Sequence, residues 1–163
     1  MNIKEYIVVI VLFIFSALLQ LFFVPMITIY GAYPDFLIYP IVFFAIRKGQ
    51  IYGTSLGFVY GLFFDLVSGG VLGSAMFSYT LSGFVAGYFY DENRKPSELS
   101  SYSHLFIILL ASAISTFFYS ALGTSNLNSI FNSLLLFAAF SGIYSATISV
   151  PVILLKPFKI LES

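Results

Sequence analysis

Two carboxylates in apolar surroundings, Asp35 and Asp65, are the residues of this sequence best placed to do chemistry. Asp65 lies in the stretch GFVYGLFFDLVSGGVLG, residues 57–73, and Asp35 lies in YPDFLIYP, residues 33–40. An ionised carboxylate is costly in hydrocarbon, so an acid in such a segment faces the protein interior or marks a function. Each acid could accept hydrogen bonds, take up a proton, bind a cation or pair with a basic residue of a partner protein.

Catalysis by these carboxylates is not indicated. An aspartyl protease needs two carboxylates close enough to share a proton, and neither acid lies in the GxGD setting associated with intramembrane proteases of that type. The sequence has one histidine, His104, and no cysteine, which leaves little for a zinc site and excludes a cysteine nucleophile. We therefore predict no catalytic residue, no metal ligand and no cofactor.

The residues that follow Asp65 suggest a structural role for its carboxylate. The run LVSGG predicts the end of a helix, and the carboxylate would accept backbone N–H groups of the turn formed by Ser68, Gly69 and Gly70. Gly73 belongs to the same glycine-rich connection. Contact with a ligand or a partner protein is the alternative for Asp65, and the same two interpretations apply to Asp35.

The composition indicates that lipid is the solvent of these segments. Of the 163 residues, 60% are hydrophobic and 9% are charged, whereas a soluble domain carries about 25% charged residues. A water-soluble fold of this size could not bury so much apolar surface. Seven basic and seven acidic residues leave no net charge, so a nucleic-acid partner is not expected.

Six apolar runs predict an all-α membrane protein, with six transmembrane helices in one compact domain over residues 1–163. A membrane-crossing helix needs about 20 mostly apolar residues, and four of the runs meet that length easily. The run 51–67 is slightly short, and the run 30–46 contains Gly31, Pro34 and Pro40. The approximate spans are 6–24, 30–46, 51–67, 71–90, 105–122 and 134–155.

The distribution of basic residues supports the doubtful second span. With six spans, every Lys and Arg falls on one side of the membrane, which the positive-inside rule assigns to the cytoplasm. Without the second span, Lys4 would lie opposite Arg47 and Lys48. We therefore expect both termini in the cytoplasm. The residues that determine this orientation are Lys4, Arg47, Lys48, Arg94, Lys95, Lys156 and Lys159.

Small residues recur at helical spacing in the third, fourth and sixth predicted spans. Faces of this kind let helices approach closely in lipid. They could pack these helices against one another, or they could contact a helix of another protein. The residues predicted to form helix-packing faces are Gly53, Gly57, Gly61, Ser74, Ser78, Ser82, Gly83, Gly87 and Gly142.

The sequence resembles the rod shape-determining protein MreD family over nearly its whole length. The second span begins with Pro34 and Asp35 and ends in a basic turn followed by glycine, in YPDFLIYPIVFFAIRKGQIYG. The third span carries the pattern G-F-x-x-G-x-x-x-D-x-x-S-G-x-x-x-G. The residues of this pattern are Gly57, Phe58, Gly61, Asp65, Ser68, Gly69 and Gly73.

The resemblance implies a component of the bacterial inner membrane that serves peptidoglycan elongation along the side wall. The family partners MreC, and through MreC it connects to the MreB filament, the polymerase RodA and a class B penicillin-binding protein. The implied fold is similar to the substrate-binding subunits of energy-coupling-factor transporters. We expect a non-enzymatic scaffold that maintains rod shape. The alternative is a small-molecule-binding subunit of a transporter, with Asp35 and Asp65 lining its pocket.

Overall fold

The computed structural model describes residues 3–28, 33–92, 101–123 and 131–154, and within these ranges the regular structure is entirely helical. A first helical rod consists of α1 (Ile3–Leu18), a π-helical segment (Leu19–Phe23) and α2 (Val24–Ile27). The helices that follow are α3 (Ile38–Lys48), α4 (Gln50–Ser68), α5 (Ser74–Gly87), α6 (Ser101–Gly123) and α7 (Phe131–Leu154).

Among the described residues, three helical stretches are long and apolar enough to cross a membrane. They are Ile7–Ile27, Gln50–Ser68 and Tyr102–Leu122. A shorter apolar stretch, Ala138–Ile148, lies within α7. Helices of this length and composition are typical of an integral membrane protein.

The helices in the second and fourth predicted spans are shorter than those spans. Helix α3 begins at Ile38 rather than near residue 30, and α5 covers Ser74–Gly87 rather than residues 71–90. Proline disfavours the helical conformation in the residue before it, and residues 33–37, which include Pro34, are irregular. Gly73 has a φ of 95°, which no right-handed helix accommodates. The other predicted boundaries lie within four residues of the observed ones.

Helix α3 is largely enclosed by the other described helices. Ile38, Ile41 and Ala45 have no exposed surface, and the helix contacts α1, α4, α5 and α6. Its 11 residues rise about 16 Å, roughly half the thickness of the hydrocarbon core. Because α3 is short and surrounded, the irregular segment that precedes it lies among the other helices.

Helices α4 and α5 run antiparallel with their backbones in close contact. A Cβ atom built at Gly53 would lie 2.6 Å from the Gly83 carbonyl oxygen, which is closer than real Cβ atoms approach. The glycines therefore permit an approach that any side chain would prevent. The residue pairs in contact along this interface are Gly53 with Gly83, Gly57 with Tyr79, Gly61 with Met76, and Gly87 with Gln50.

A second face of α5, which carries Ser82, meets α6. The Ser82 hydroxyl donates to the Ala111 carbonyl oxygen at 2.9 Å, and Ser78, one turn earlier, is fully buried. Helix α7 approaches α6 at Gly142, where a Cβ atom would lie 3.1 Å from the Leu109 carbonyl oxygen. The small residues of α5 therefore contact two helices, α4 at Gly83 and Gly87 and α6 at Ser82.

Candidate functional site

Asp35 lies in the irregular segment before α3 and joins several helices. Its side chain is 2% exposed. The carboxylate accepts hydrogen bonds from the Tyr79 hydroxyl at 3.0 Å, the Ser115 hydroxyl at 2.5 Å and the Leu37 N–H at 3.2 Å. The backbone N–H of Asp35 donates to Ser145 Oγ at 3.0 Å. These bonds connect the start of α3 to α5, α6 and α7.

The backbone groups of Tyr33 and Phe36 in this irregular segment also form hydrogen bonds with side chains of other helices. The Phe36 N–H donates to Gln20 Oε1 at 2.8 Å, and Gln20 lies in the π-helical segment. The Tyr33 N–H donates to Ser141 Oγ at 3.2 Å, and the Ser141 hydroxyl donates to the Tyr33 carbonyl oxygen. Non-helical backbone at membrane depth requires such partners, because lipid offers none.

Asp65 lies near the end of α4 and caps the start of α5. Its Oδ2 accepts the N–H groups of Gly73 at 2.9 Å and Met76 at 3.0 Å, and its Oδ1 accepts the N–H of Ala75 at 3.0 Å. The Ser74 hydroxyl lies 3.4 Å from Oδ1. The first N–H groups of a helix lack partners within it, and Gly73 has no side chain to cap α5. Asp65 supplies this cap from α4, and a negative charge there is favoured by the helix dipole.

The structure corrects the predicted position of the Asp65 interaction. The prediction placed its hydrogen bonds at Ser68, Gly69 and Gly70, whereas the carboxylate contacts residues 73–76. Asp65 shares a face of α4 with Gly61, which packs against the α5 backbone. Its side chain therefore points to the first turn of α5 and away from Ser68, Gly69 and Gly70, which are exposed.

The glycine pattern around Asp65 has a geometric explanation in this helix pair. Gly57 and Gly61 permit close contact with α5, and Asp65 caps α5. Gly69 and Gly73 adopt φ angles of 66° and 95°, in the left-handed region that strains other residues. The pattern therefore specifies two antiparallel helices, their connection and the cap of the second helix.

The partners of Asp35 were not predicted from the sequence. Tyr79 and Ser115 lie in apolar helices of a chain with 12 tyrosines, so neither stands out as a carboxylate partner. The sequence could have indicated that Ser141 and Ser145 act together, because residues four apart lie on one face of a helix. Both serines contact the segment before α3.

The basic residues predicted to set the orientation are only partly described. Arg47 and Lys48 occupy the last turn of α3, and the Arg47 guanidinium lies 5.3 Å from the centre of the Phe43 ring. The backbone of Lys4 belongs to α1. The other four, Arg94, Lys95, Lys156 and Lys159, lie outside the described residues.

Metal ligands are not gathered in the part of the chain that can be described. No group of three His, Cys, Asp or Glu side chains is arranged there to hold an ion. Asp35 and Asp65 bind donors of the chain itself. Their geometry can therefore fix helices relative to one another.

These features define an integral membrane protein of α-helices whose buried acids hold its own helices together. A family model described as rod shape-determining protein MreD matches residues 1–160. The chain therefore belongs to the MreD family, which is associated with the determination of rod shape. No curated protein and no solved structure matches the chain.

The Asp35 hydrogen bonds predict that Asp35→Asn is tolerated and that Asp35→Leu is not. An asparagine oxygen in the place of Oδ1 would keep the Leu37 and Tyr79 bonds, and the amide NH₂ could donate to the Ser115 hydroxyl, which also accepts. Leucine removes all these acceptors, at about 1–3 kcal/mol for each buried donor left unpaired. The measurement is the thermal unfolding midpoint of detergent-purified protein, together with its abundance in membranes.

The exposed Glu92 provides a control, since Glu92→Gln makes a matched acid-to-amide change and should leave both measurements unchanged. Loss of folded protein in Asp35→Asn would contradict a role based on hydrogen bonding. It would show that the negative charge itself is needed, as for a bound cation.

Proposed function

We propose that this chain is a non-enzymatic scaffold of the peptidoglycan elongation machinery and maintains rod shape together with MreC. The observation that carries the proposal is the MreD family match over residues 1–160. In this proposal MreC is the direct partner. MreB, RodA and a class B penicillin-binding protein are reached through MreC.

The hydrogen bonds of the two buried acids support a scaffold. Asp35 and Asp65 are each 2% exposed, and the oxygens of both accept from donors within the chain. A transporter subunit that used these acids to bind a small molecule would need them free for that ligand. The bundle we propose is a single domain with six spans, of the type found in energy-coupling-factor substrate-binding subunits.

We further propose that both termini lie on the cytoplasmic side of the bacterial inner membrane. Arg47 and Lys48 at the end of α3 support this orientation through the positive-inside rule.

The chain lacks cysteine, so Ser68→Cys and Glu92→Cys each introduce a single thiol at an exposed position. A membrane-impermeant maleimide should label Ser68→Cys in spheroplasts, and Glu92→Cys only after permeabilisation. Labelling of both in intact spheroplasts would exclude this orientation.

The proposed function is tested in rod-shaped cells whose only MreD protein is this chain under a repressible promoter. Depletion should turn rods into round cells, because side-wall elongation would lose a membrane component. Affinity purification in mild detergent should recover MreC, identified by mass spectrometry. Rods that persist after depletion, with purified protein carrying a vitamin-sized ligand, would support the transporter subunit instead.

A further inference from the structure

An apolar groove of about 350 Å³ lies between α1, α3 and α7. On one side it extends from Val8 in α1 to Leu19 in the π-helical segment, and on the other from Phe36, just before α3, to Phe43 in α3. The hydrogen bond between Gln20 and the Phe36 N–H places the Leu19 end beside the start of α3. The other end of the groove therefore lies toward Val8 and Phe43.

The dimensions of the groove fit one hydrocarbon chain. From Val8 to Leu19 a helix rises about 16 Å, close to the depth of one leaflet in a hydrocarbon core of about 30 Å. Divided by that length of about 16 Å, the volume of about 350 Å³ gives a mean cross-section of roughly 22 Å². A cross-section of this order accommodates one hydrocarbon chain lying along the groove.

The lining of the groove offers nothing to a polar ligand. Its walls are aliphatic and aromatic apart from Ser16 and the tyrosine Tyr39. The Ser16 hydroxyl donates to the Phe13 carbonyl oxygen, and the Tyr39 hydroxyl donates to the Ser145 carbonyl oxygen. Both hydroxyls are therefore engaged within the chain, and the groove suits an apolar chain.

A positive charge lies at one end of this groove. Phe43 forms part of its wall, and the Arg47 guanidinium lies 5.3 Å from the centre of the Phe43 ring. Lys48 follows in the same turn of α3. Basic residues beside a crevice between transmembrane helices attract anionic headgroups of the cytoplasmic leaflet.

We propose that an anionic phospholipid of the cytoplasmic leaflet binds in this groove. One acyl chain lies between α1 and α3, and the phosphate lies at Arg47. The proposal combines a groove of leaflet depth and single-chain width with a guanidinium at its end. The lipid would fill the space between α1 and α3 and so bind the folded bundle in preference to the unfolded chain, which raises stability.

The test compares phosphatidylglycerol with phosphatidylcholine of the same acyl chains, added to the full chain purified in detergent. Native mass spectrometry should show more bound phosphatidylglycerol, and that lipid should raise the thermal unfolding midpoint more. Arg47→Gln should lower bound phosphatidylglycerol about fivefold, the effect of one basic residue near an anionic surface. Arg47→Lys should retain the preference, because it keeps the charge.

A second variant tests the groove itself. Leu12→Phe enlarges a side chain of the groove wall and should reduce binding of both lipids, while the midpoint without lipid stays unchanged. Leu66→Phe, at a position that is 61% exposed outside the groove, should leave lipid binding unchanged. Equal binding of the two lipids, or an unchanged preference in Arg47→Gln, would overturn the proposal. Crosslinks from Leu12 to a second copy or to another protein's helix would also overturn it.

Discussion

Asp65→Asn is expected to destabilise the protein, but less than Asp65→Leu, which removes the acceptor of all three N–H groups. Oδ2 accepts the N–H groups of Gly73 and Met76, and Oδ1 accepts that of Ala75. An asparagine has one oxygen, so its NH₂ group must face a backbone N–H that cannot accept. Each donor left unpaired costs about 1–3 kcal/mol, and loss of a helix cap alone costs about 0.5–2 kcal/mol. The measurement is the thermal unfolding midpoint in detergent, with abundance in membranes.

Asp35→Asn is the matched comparison for this prediction. The same acid-to-amide change is made at a carboxylate that is also 2% exposed. Two donors to Asp35 are hydroxyls, which can reverse their bonds, whereas the three donors within 3.0 Å of the Asp65 oxygens are backbone N–H groups. The two variants should therefore differ in stability. A stable Asp65→Asn at normal abundance would contradict the capping role. If that stable variant gave round cells, Asp65 would instead contact a partner or a ligand.

The sequence alone supports the opposite expectation for Asp65→Asn. A carboxylate that accepts one N–H of a nearby turn could be replaced by an amide oxygen without loss. The difference arises because Asp65 lies at the end of a glycine face, opposite the N-terminus of α5. The identity of the residue and its burial were predictable, but the number of its donors depends on how two helices pack.

The ends of a helix could be predicted from the sequence where glycine residues form the adjoining turns. Helix α4 begins at Gln50 and ends at Ser68, within one residue of the predicted span 51–67, because Gly49 and Gly69 mark its two ends. The second span was predicted less well. Its irregular first part is stabilised by Gln20, Ser141 and Ser145, which are distant in the sequence, and apolar composition cannot distinguish such a segment from a helix.

The faces of α5 show a similar limit. The four-residue spacing of its serines predicted a small face, but not which helix that face meets. Ser82 donates to α6, while the adjacent row that contains Gly83 meets α4. These two rows are only one residue apart in register, so their assignment depends on the rotation of α5 about its axis. That rotation is determined by contacts along its whole length.

The close contact between α4 and α5 predicts that Gly61→Ala destabilises the protein. In a helix this substitution normally stabilises by about 1 kcal/mol. At Gly61 the new Cβ would lie 2.5 Å from the Ala75 carbonyl oxygen and 2.6 Å from the Met76 nitrogen. Both are backbone atoms, so relief requires that α5 move, and overpacking of this kind costs about 1–3 kcal/mol. Gly61→Leu should prevent accumulation of folded protein, measured as membrane abundance.

Gly70→Ala and Val59→Leu are the controls for the two Gly61 changes. A Cβ at Gly70 would meet the Tyr119 hydroxyl at an ordinary 3.5 Å, and Val59 is 43% exposed on α4, so both variants should be mild.

Because a shift of α5 would also pull its first turn from Asp65, Gly61→Ala and Asp65→Leu disrupt the same contact. Their effects on unfolding free energy should therefore sum to more than the double variant loses, as for coupled residues. A stabilised Gly61→Ala would show that the two backbones are not in contact there, and strict additivity would show that glycine and cap act separately.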